Sequence, residues 1–272
     1  MELKVVKYSV DRHVATVMLS RPQRLNSWTG RMHAEYRWAI AQAENDESVG
    51  AIIVTGEGRG FCAGADSQAL EGHVEKGGYD PGTPADMANP GYGVHPEFDH
   101  NFAFHFGLTK PVIAAINGPA AGVGLVLACF ADVRFAAAGA KLTTSHGKLG
   151  LPAEYGLSWL LPRLIGLTRA NDLLLTSRTL LAEEALALGL VNGVFPAEEL
   201  LPHVREYARN LAENIAPQSV RATKRQIYLD QHRGVGEAEE YGEGLLREMA
   251  KGPEYREGVA ALVEKRTPVF RS

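Results

Sequence analysis

Cysteine is scarce in this chain of 272 residues, which contains only Cys62 and Cys129. Both stand among apolar neighbours, and their separation does not match the paired spacing of a structural zinc site. So little cysteine is typical of proteins that work in a reducing compartment. The composition therefore predicts a cytoplasmic protein.

Long apolar runs are also missing. The longest apolar stretch is interrupted at Asn117, Gly118 and Pro119, which leaves it too short to span a bilayer. The first 19 residues alternate apolar and polar side chains instead of giving the charged start and apolar block of a secretory signal. We therefore expect a soluble protein with no membrane partner.

Neither sign of charge dominates, since the chain has 28 Lys and Arg residues and 32 Asp and Glu residues. Without a long basic run, nothing recommends nucleic acid as a partner. The irregular spacing of His73, His95, His100 and His105 matches no zinc pattern. We expect these four side chains to be scattered over the surface, and we predict no metal site.

A glycine-rich turn, residues 56–60, follows a short apolar strand predicted from Ala51 to Thr55. Its spacing does not fit the dinucleotide-binding fingerprint, and no Gly-Lys-Ser/Thr follows it as in a phosphate-binding loop. The favoured interpretation is that these glycines form a turn.

The stretch from Pro111 to Ala131 organises the rest of the chain. Val112 to Ile116 is predicted to be a buried strand, residues 117–119 break it, and Ala120 to Phe130 is small and apolar enough for a helix buried on every side. The N-terminus of such a helix carries unpaired N–H groups that stabilise a developing negative charge. Gly122 and Gly124 are expected to let another molecule lie close to the backbone.

Strands and helices alternate through the first 196 residues, and the remainder is predicted to be helical. Predicted strands are two between Val5 and Leu19, then Ala51 to Thr55, Val112 to Ile116, Asp132 to Ala136, Lys141 to Ser145 and Leu190 to Phe195. Predicted helices run from an Asn26 or Ser27 cap to Asp46, then Ala120 to Phe130, Trp159 to Ile165, Arg169 to Thr176 with Thr168 as its cap, and Glu183 to Leu188. This order indicates a parallel α/β core with a C-terminal helical extension.

The segment from Gly72 to Asp99 is rich in glycine, proline and polar residues. It is too long for a simple connection and too polar for the core. It is either a lid over a site or a mobile surface insertion, and the sequence leaves both open.

Three separated segments resemble the crotonase superfamily, also called the enoyl-CoA hydratase/isomerase family. They are residues 21–26 (RPQRLN), 60–66 (GFCAGAD) and 110–118 (KPVIAAING), and residues 182–191 and 263–266 add further matches. The resemblance implies a core of repeated ββα turns over residues 1–196 and a C-terminal helical region, 197–272, that supports a homotrimer or a dimer of trimers.

The same resemblance implies a site for acyl-CoA thioesters. The backbone N–H groups of Ala65 and Val123 are expected to form an oxyanion hole for an enolate-like thioester oxygen, although Val123 stands where the family usually has glycine. Contacts to coenzyme A are expected from Leu25, Asp66, Ser67, Gln68 and Lys265. Asp66 is also expected to fix its own loop, and a lone Lys265 is as consistent with a solvated lysine. Coenzyme A enters as part of the substrate, and no metal, flavin or nicotinamide is implied.

The chain departs from the family where hydratases carry two glutamates, because Val126 and His146 occupy those positions. Glu154 falls where other members carry a catalytic aspartate. Burial against an acyl group would raise the pKa of such a carboxyl towards the range useful for moving protons. His146 is a second candidate because an imidazole exchanges protons near neutral pH.

The resemblance thus predicts an enzyme of the enoyl-CoA hydratase/isomerase type in which Glu154 moves a proton, and one acid/base group favours isomerisation over hydration. Two alternatives stay open: a thioester hydrolase or dehalogenase that uses Glu154, and a CoA-ester binding protein without activity. The acyl group is not determined. Five aromatic residues are candidates for its pocket, although such residues are more often core: Trp28, Phe102, Phe104, Phe106 and Trp159.

Overall fold

The fold is built on an N-terminal hairpin. In the computed structural model, which describes residues 2–77 and 92–270, strand β1 (Val6–Asp11) pairs antiparallel with β2 (Val14–Leu19). The turn lies at Arg12 and His13, both with positive φ. The predicted hairpin is confirmed. Glu35 ties β1 to the helix that follows, because one of its oxygens accepts the N–H groups of residues 4, 5 and 6.

A six-stranded sheet forms the centre of the molecule, in the order β1-β2-β3-β4-β6-β9. All its neighbours from β2 onward are parallel. The added strands are β3 (Ala51–Gly56), β4 (Val112–Ile116), β6 (Val133–Ala137) and β9 (Gly193–Phe195). The predicted parallel α/β core is therefore confirmed.

A small second sheet lies beyond the ends of these strands. It contains β5 (Ala120–Ala121), β7 (Lys141–Thr143) and β8 (Leu180–Leu181), in the order β5-β7-β8. Two isolated parallel bridges extend it, one between Cys62 and Ala120 and one between Trp28 and Ala65. Segments far apart in sequence thus meet at the carboxyl edge of the main sheet.

Residues 2–77 and 92–270 contain eleven α-helices. They are α1 (Gly30–Asn45), α2 (Ser67–Lys76), α3 (Phe104–Gly107), α4 (Val123–Cys129), α5 (Leu157–Ile165), α6 (Leu167–Thr176), α7 (Ala182–Ala187), α8 (Ala197–Asn214), α9 (Pro217–Leu229), α10 (Val235–Met249) and α11 (Pro253–Glu264). The predicted helical extension from residue 197 is confirmed.

The sheet separates two hydrophobic layers because neighbouring strand residues point to opposite faces. Ile53 packs with Leu200, Val204 and Ala208 of α8, whereas Ile52 belongs to the larger core on the other face. Helix α8 therefore covers one face of the sheet. The domain boundary predicted at residue 197 would separate this helix from the strands that bury its apolar side, and it stays a prediction.

Three local predictions are corrected by longer-range contacts. Helix α1 is capped by Thr29, whose hydroxyl accepts the Met32 N–H at 3.1 Å, and not by Asn26 or Ser27. Residues 120–130 are not one helix, because Ala120 and Ala121 pair with β7 before α4 begins. Helix α6 begins after Gly166, so Thr168 lies inside it and does not cap it.

The histidine prediction is partly wrong. His95 and His100 are exposed as expected, but His105 is buried, and its Nε2 lies 2.8 Å from the Tyr36 hydroxyl. The segment from Gly72 to Asp99 is not wholly irregular, since its first residues belong to α2. Residues 78–91 of that segment lie outside the described part of the chain.

No helix in residues 2–77 and 92–270 is both long and apolar enough to cross a membrane. In the same residues, no group of three His, Cys, Asp or Glu side chains is placed to hold a metal ion.

Candidate active site

A cavity of about 300 Å³ opens at the carboxyl edge of the sheet. Its walls come from the 63–65 segment, the N-terminus of α4, the loop after β7 and the loop before α5. The lining residues are Ala63, Gly64, Ala65, Leu70, Gly122, Val123, Thr144, Ser145, His146, Lys148, Leu149 and Glu154. All four residues that the sequence predicts to be catalytic therefore share one cavity: Ala65, Val123, His146 and Glu154.

Two backbone N–H groups face this cavity. Around Ala65, hydrogen bonds run from Trp28 N–H to Gly64 O at 2.8 Å and from Asp66 N–H to Trp28 O at 2.9 Å. Gly64 and Asp66 therefore both bond to Trp28. In a parallel bridge of this kind, the N–H of Ala65, which lies between them, points away from Trp28. Val123 is the first residue of α4, so its N–H has no carbonyl partner within the helix. In the described residues, neither of these two N–H groups has a backbone hydrogen-bond partner.

Gly122 shapes the turn that presents Val123. Its φ of 48° and ψ of −121° suit glycine and disfavour other residues, and its N–H donates to Thr143 O at 3.0 Å. A Cβ placed on Gly122 would stand 3.9 Å from the Glu154 Oε2 atom. The carboxylate therefore lies beside the Gly122–Val123 peptide.

Gly124 has a different role from the one expected. A Cβ at Gly124 would stand 2.0 Å from Cys62 O, so this glycine makes room for the chain's own 62–66 segment and not for a ligand. The close approach brings α4 against that segment, which sets the distance between the two N–H donors.

Glu154 is the one carboxylate among the residues that line the cavity. It is half-buried, and in the described residues no hydrogen bond or ion pair engages its carboxylate. Burial raises the pKa of Glu154 above its ordinary value, and the charge of His146 offsets part of the rise. A partly desolvated carboxyl with both oxygens available is suited to taking up and returning a proton.

His146 is held from behind by α6. Its Nε2 lies 3.0 Å from Leu174 O in the last turn of that helix, and its side chain is almost fully buried. Since a carbonyl only accepts, Nε2 carries a proton and donates it to Leu174 O. Nδ1 is buried and has no hydrogen-bond partner in the described part of the chain.

Val126 follows Val123 by one helical turn and is buried among the core residues of α4. It lies outside the cavity lining and supplies no acid/base group. The five aromatic candidates are core residues or pack against the core. The ring of Phe102 lies 5.1 Å from that of Tyr155, the residue after Glu154.

The residues expected to bind coenzyme A lie in different places. Ser67 and Gln68 are exposed where α2 begins beside Ala65, and Leu25 packs under Gly60. Asp66 is buried and bonded to the chain's own groups. Lys265 does not line the cavity.

Lys265 is the residue directly after α11. In the same C-terminal region, Phe270 lines a groove together with Lys110. Lys110 precedes β4, whereas Val123 follows its carboxyl end. The C-terminal tail of this chain therefore reaches the edge of the sheet opposite the cavity.

Sequence reasoning did not single out several residues that build the site. Arg21 and Ser27 bond to Asp66. The Ser177 hydroxyl accepts the Gly147 N–H and bonds to the Thr144 hydroxyl, both at 3.0 Å, and so fixes the loop that carries His146. The motif at residues 21–26 was a signal for Arg21, but Ser177 stands in no recognised motif.

Comparisons with known proteins agree on one family. The sequence model of the enoyl-CoA hydratase/isomerase family matches residues 9–272. The 1,2-epoxyphenylacetyl-CoA isomerase of Escherichia coli K12 is 35% identical over 96% of each chain.

Solved structures give the same result. The enoyl-CoA hydratase of Bacillus anthracis superposes with a TM-score of 0.86 at 28% identity, covering 98% of this chain and 99% of that one. An enoyl-CoA hydratase of Mycobacterium marinum is 40% identical, with a TM-score of 0.66, over 84% of this chain and 99% of that one. This chain belongs to the enoyl-CoA hydratase/isomerase family, the crotonase superfamily, and has its fold.

Proposed function

We propose that this acyl-CoA enzyme holds the thioester oxygen between the N–H groups of Ala65 and Val123 and moves a proton on the acyl carbons with Glu154. The observation that carries the proposal is the position of Glu154, whose Oε2 lies beside the Gly122–Val123 peptide in the same cavity as Ala65. A carboxylate there would act on a carbon next to the polarised carbonyl.

The chemistry follows from the charge that develops. Removing a proton next to a thioester carbonyl moves negative charge onto the carbonyl oxygen, and two N–H donors stabilise it. Loss of one such donor typically costs about 3 kcal/mol, or a factor of about 10² or more in rate. The reaction therefore needs the backbone at residues 65 and 123 more than it needs their side chains.

Isomerisation is the reaction class that the site favours. Glu154 can take a proton from one carbon and return it to another, whereas hydration in the family uses two glutamates and this cavity supplies one carboxylate. The name of the Escherichia coli relative, an isomerase of 1,2-epoxyphenylacetyl-CoA, supports the same class. It also makes acyl groups with an aromatic ring worth testing.

His146 is proposed as a second polar group and not as the main base. Its Nε2 proton is engaged by Leu174 O, so only Nδ1 is available for proton transfer. Because its charge lowers the pKa of Glu154, it also tunes that carboxyl.

Product analysis tests the reaction class. The protein is incubated with a panel that contains straight-chain enoyl-CoA, phenylacetyl-CoA and 1,2-epoxyphenylacetyl-CoA, and the products are separated by liquid chromatography and identified by their masses and by comparison with standards. An isomer of unchanged mass that is absent with Glu154→Gln supports the proposal. A product that has gained water identifies a hydratase, and release of free CoA thiol identifies a hydrolase that uses Glu154.

Binding without any product would identify a CoA-ester binding protein. In that case Glu154→Gln would leave both the affinity and the absence of turnover unchanged. The surface Glu243, paired with Arg247 on α10, supplies a control variant, Glu243→Gln, with the same chemical change away from the cavity.

A homotrimer or a dimer of trimers is proposed for the assembly. Helices α9, α10 and α11 enclose an open apolar groove of about 500 Å³, and Leu246 and Leu262 stand about 67% and 78% exposed beside it. An apolar surface of this kind favours association. Light scattering that gives a single monomeric mass would contradict the proposal. A cytoplasmic location, which the sequence predicts from its scarcity of cysteine, is also proposed, and cell fractionation tests it. Both cysteines are free and buried, in keeping with that proposal.

A further inference from the structure

The direction of the Ala65 N–H is set by the segment next to it, residues 25–28. Three hydrogen bonds join the two segments: Ala63 N–H to Leu25 O at 3.0 Å, Trp28 N–H to Gly64 O at 2.8 Å and Asp66 N–H to Trp28 O at 2.9 Å. Together they fix the peptide planes on both sides of Ala65. A movement of the 25–28 segment therefore also moves the Ala65 N–H, the first of the two proposed oxyanion donors.

The 25–28 segment adopts a backbone that needs support. Leu25 and Asn26 have φ values of 48° and 56°, in the left-handed region that costs residues other than glycine about 1–3 kcal/mol each. Asn26 contributes support through its side chain, which donates to Gly60 O at 2.7 Å and accepts the Arg21 N–H at 2.7 Å. An ion pair that bonds to Ser27 supports the same segment.

Arg21 and Asp66 form this ion pair across the two segments. Arg21 Nη1 donates to Asp66 Oδ2 at 2.9 Å and to Ser27 O at 2.8 Å, and the Ser27 hydroxyl donates to the same Asp66 oxygen at 2.9 Å. The other Asp66 oxygen accepts the Gln68 N–H at 3.1 Å, where α2 begins. Asp66 thus connects residues on both sides of Ala65.

The pair is shielded from water, with side-chain exposures of 18% for Arg21 and 5% for Asp66. Burial acts to raise the pKa of Asp66, but the bonds from Ser27, Arg21 and Gln68 and the Arg21 charge together lower it below its ordinary value. The carboxylate is therefore charged and engaged by the chain itself. Both of its oxygens accept hydrogen bonds from the chain itself.

We infer that Arg21 and Asp66 are positioning residues for the oxyanion hole, acting through the Ala65 N–H without touching the substrate. The inference rests on the proposed function, in which that N–H polarises the thioester. Without the pair, the 25–28 segment relaxes from its left-handed backbone and the Ala65 peptide turns. A displacement of this kind lowers kcat by about 10- to 100-fold while the affinity for the acyl-CoA changes little.

The experiment measures polarisation of the carbonyl directly. Butanoyl-CoA and phenylacetyl-CoA, labelled with ¹³C at the carbonyl, are bound to the protein, and the carbonyl stretch is recorded by difference infrared spectroscopy. The variants are Arg21→Gln and Asp66→Asn. A matched control is the surface pair of Arg209 and Asp11, 2.7 Å apart, changed to Arg209→Gln and Asp11→Asn.

Hydrogen bonds from an oxyanion hole lower the carbonyl stretch of the bound thioester. We expect the wild type and both control variants to show this shift, and Arg21→Gln and Asp66→Asn to lose most of it with little change in dissociation constant. Arg21→Lys should restore part of the shift, because it keeps the positive charge beside Asp66 but carries it on a flexible stem instead of the rigid guanidinium whose Nη1 bonds to both Ser27 and Asp66. If a variant fails to fold, Ser27→Ala removes a single bond to Asp66 and should show a smaller loss.

Two other results have distinct meanings. A full carbonyl shift in folded Arg21→Gln and Asp66→Asn would overturn the positioning role and leave the proposed function intact. Binding of both probes to the wild type without any shift would overturn the oxyanion hole itself, and the positioning role with it.

Discussion

Substituting Gly124 by alanine tests how the two oxyanion donors are held together. The new Cβ would stand 2.0 Å from Cys62 O and 2.8 Å from Cys62 Cβ, and both atoms belong to the segment that leads to Ala65. Real Cβ atoms essentially never come closer than 3.0 Å, so the oxygen and the Cβ must separate by at least 1.0 Å. Helix α4 and the 62–66 segment must therefore move apart.

We expect Gly124→Ala to lower both the stability of the protein and its reaction rate. Overpacking of this kind destabilises a protein by about 1–3 kcal/mol, and in a chain of this size each kcal/mol lowers the melting temperature by about 2–4 °C. A misplacement of about 1 Å in a catalytic arrangement costs about 10² in rate. Because the displacement separates the Val123 and Ala65 donors, we expect the rate to fall by about 10²-fold in molecules that are still folded.

The assay compares thermal unfolding with the rate of proton exchange on an acyl-CoA. Gly244 supplies the matched control, because it is an exposed glycine inside α10 with nothing within 4 Å of a built Cβ. Gly244→Ala should raise stability by about 0.5–1 kcal/mol, as an alanine does in a helix, and leave the rate unchanged. Wild-type stability together with a wild-type rate in Gly124→Ala would refute the packing argument.

The remaining predictions concern charge and capping. The proton-exchange rate should rise with pH through the Glu154 pKa, which burial holds above the ordinary glutamate value; a pH profile that is unchanged in Glu154→Gln would contradict this. Since that raised pKa favours the protonated form in the folded state, its contribution to stability is lost as pH rises, and Glu154→Gln should be more stable than wild type in urea at neutral pH. Lys224→Met should cost about 3 kcal/mol in urea unfolding, because it leaves the partly buried Asp132 without the ammonium 2.7 Å away; a change below 1 kcal/mol would show that Asp132 does not need its partner. Thr29→Ala should cost about 1 kcal/mol by loss of the α1 cap, and equal unfolding midpoints would count against that cap.

The sequence predicts most of the regular elements because their signals are local. The spacing of Met32, Tyr36, Ile40 and Ala43 predicts α1, and all four side chains are buried. The apolar run of β4 is equally clear, since every one of its residues is buried. A short run bounded by turn residues carries this information within a few positions.

Contacts between distant segments account for the errors. Ala120 and Ala121 look helical by composition, but pairing with β7 and with Cys62 makes them a strand. His105 is buried, and its ring forms a hydrogen bond with the hydroxyl of Tyr36, which is 69 positions away in the sequence. No local pattern encodes either contact, and local propensity gives way to tertiary structure in both.

The candidate site was only partly accessible from the residues themselves. The buried turn and helix pointed to backbone donors, but the pairing of Val123 with Ala65 came from the family resemblance. The ion pair of Arg21 and Asp66 spans 45 positions and became visible only in the structure. Positioning contacts of this kind join segments, whereas a motif describes one segment at a time.

Hydrogen exchange at the acyl carbons tests directly whether Glu154 moves the proton. Phenylacetyl-CoA and butanoyl-CoA are incubated with the protein in deuterated water, and deuterium next to the thioester carbonyl is followed by NMR for the wild type, Glu154→Gln and Glu243→Gln. We expect exchange with the wild type and with Glu243→Gln, and its loss with Glu154→Gln. Exchange that continues at the wild-type rate in Glu154→Gln would contradict the central claim that this carboxyl moves the proton.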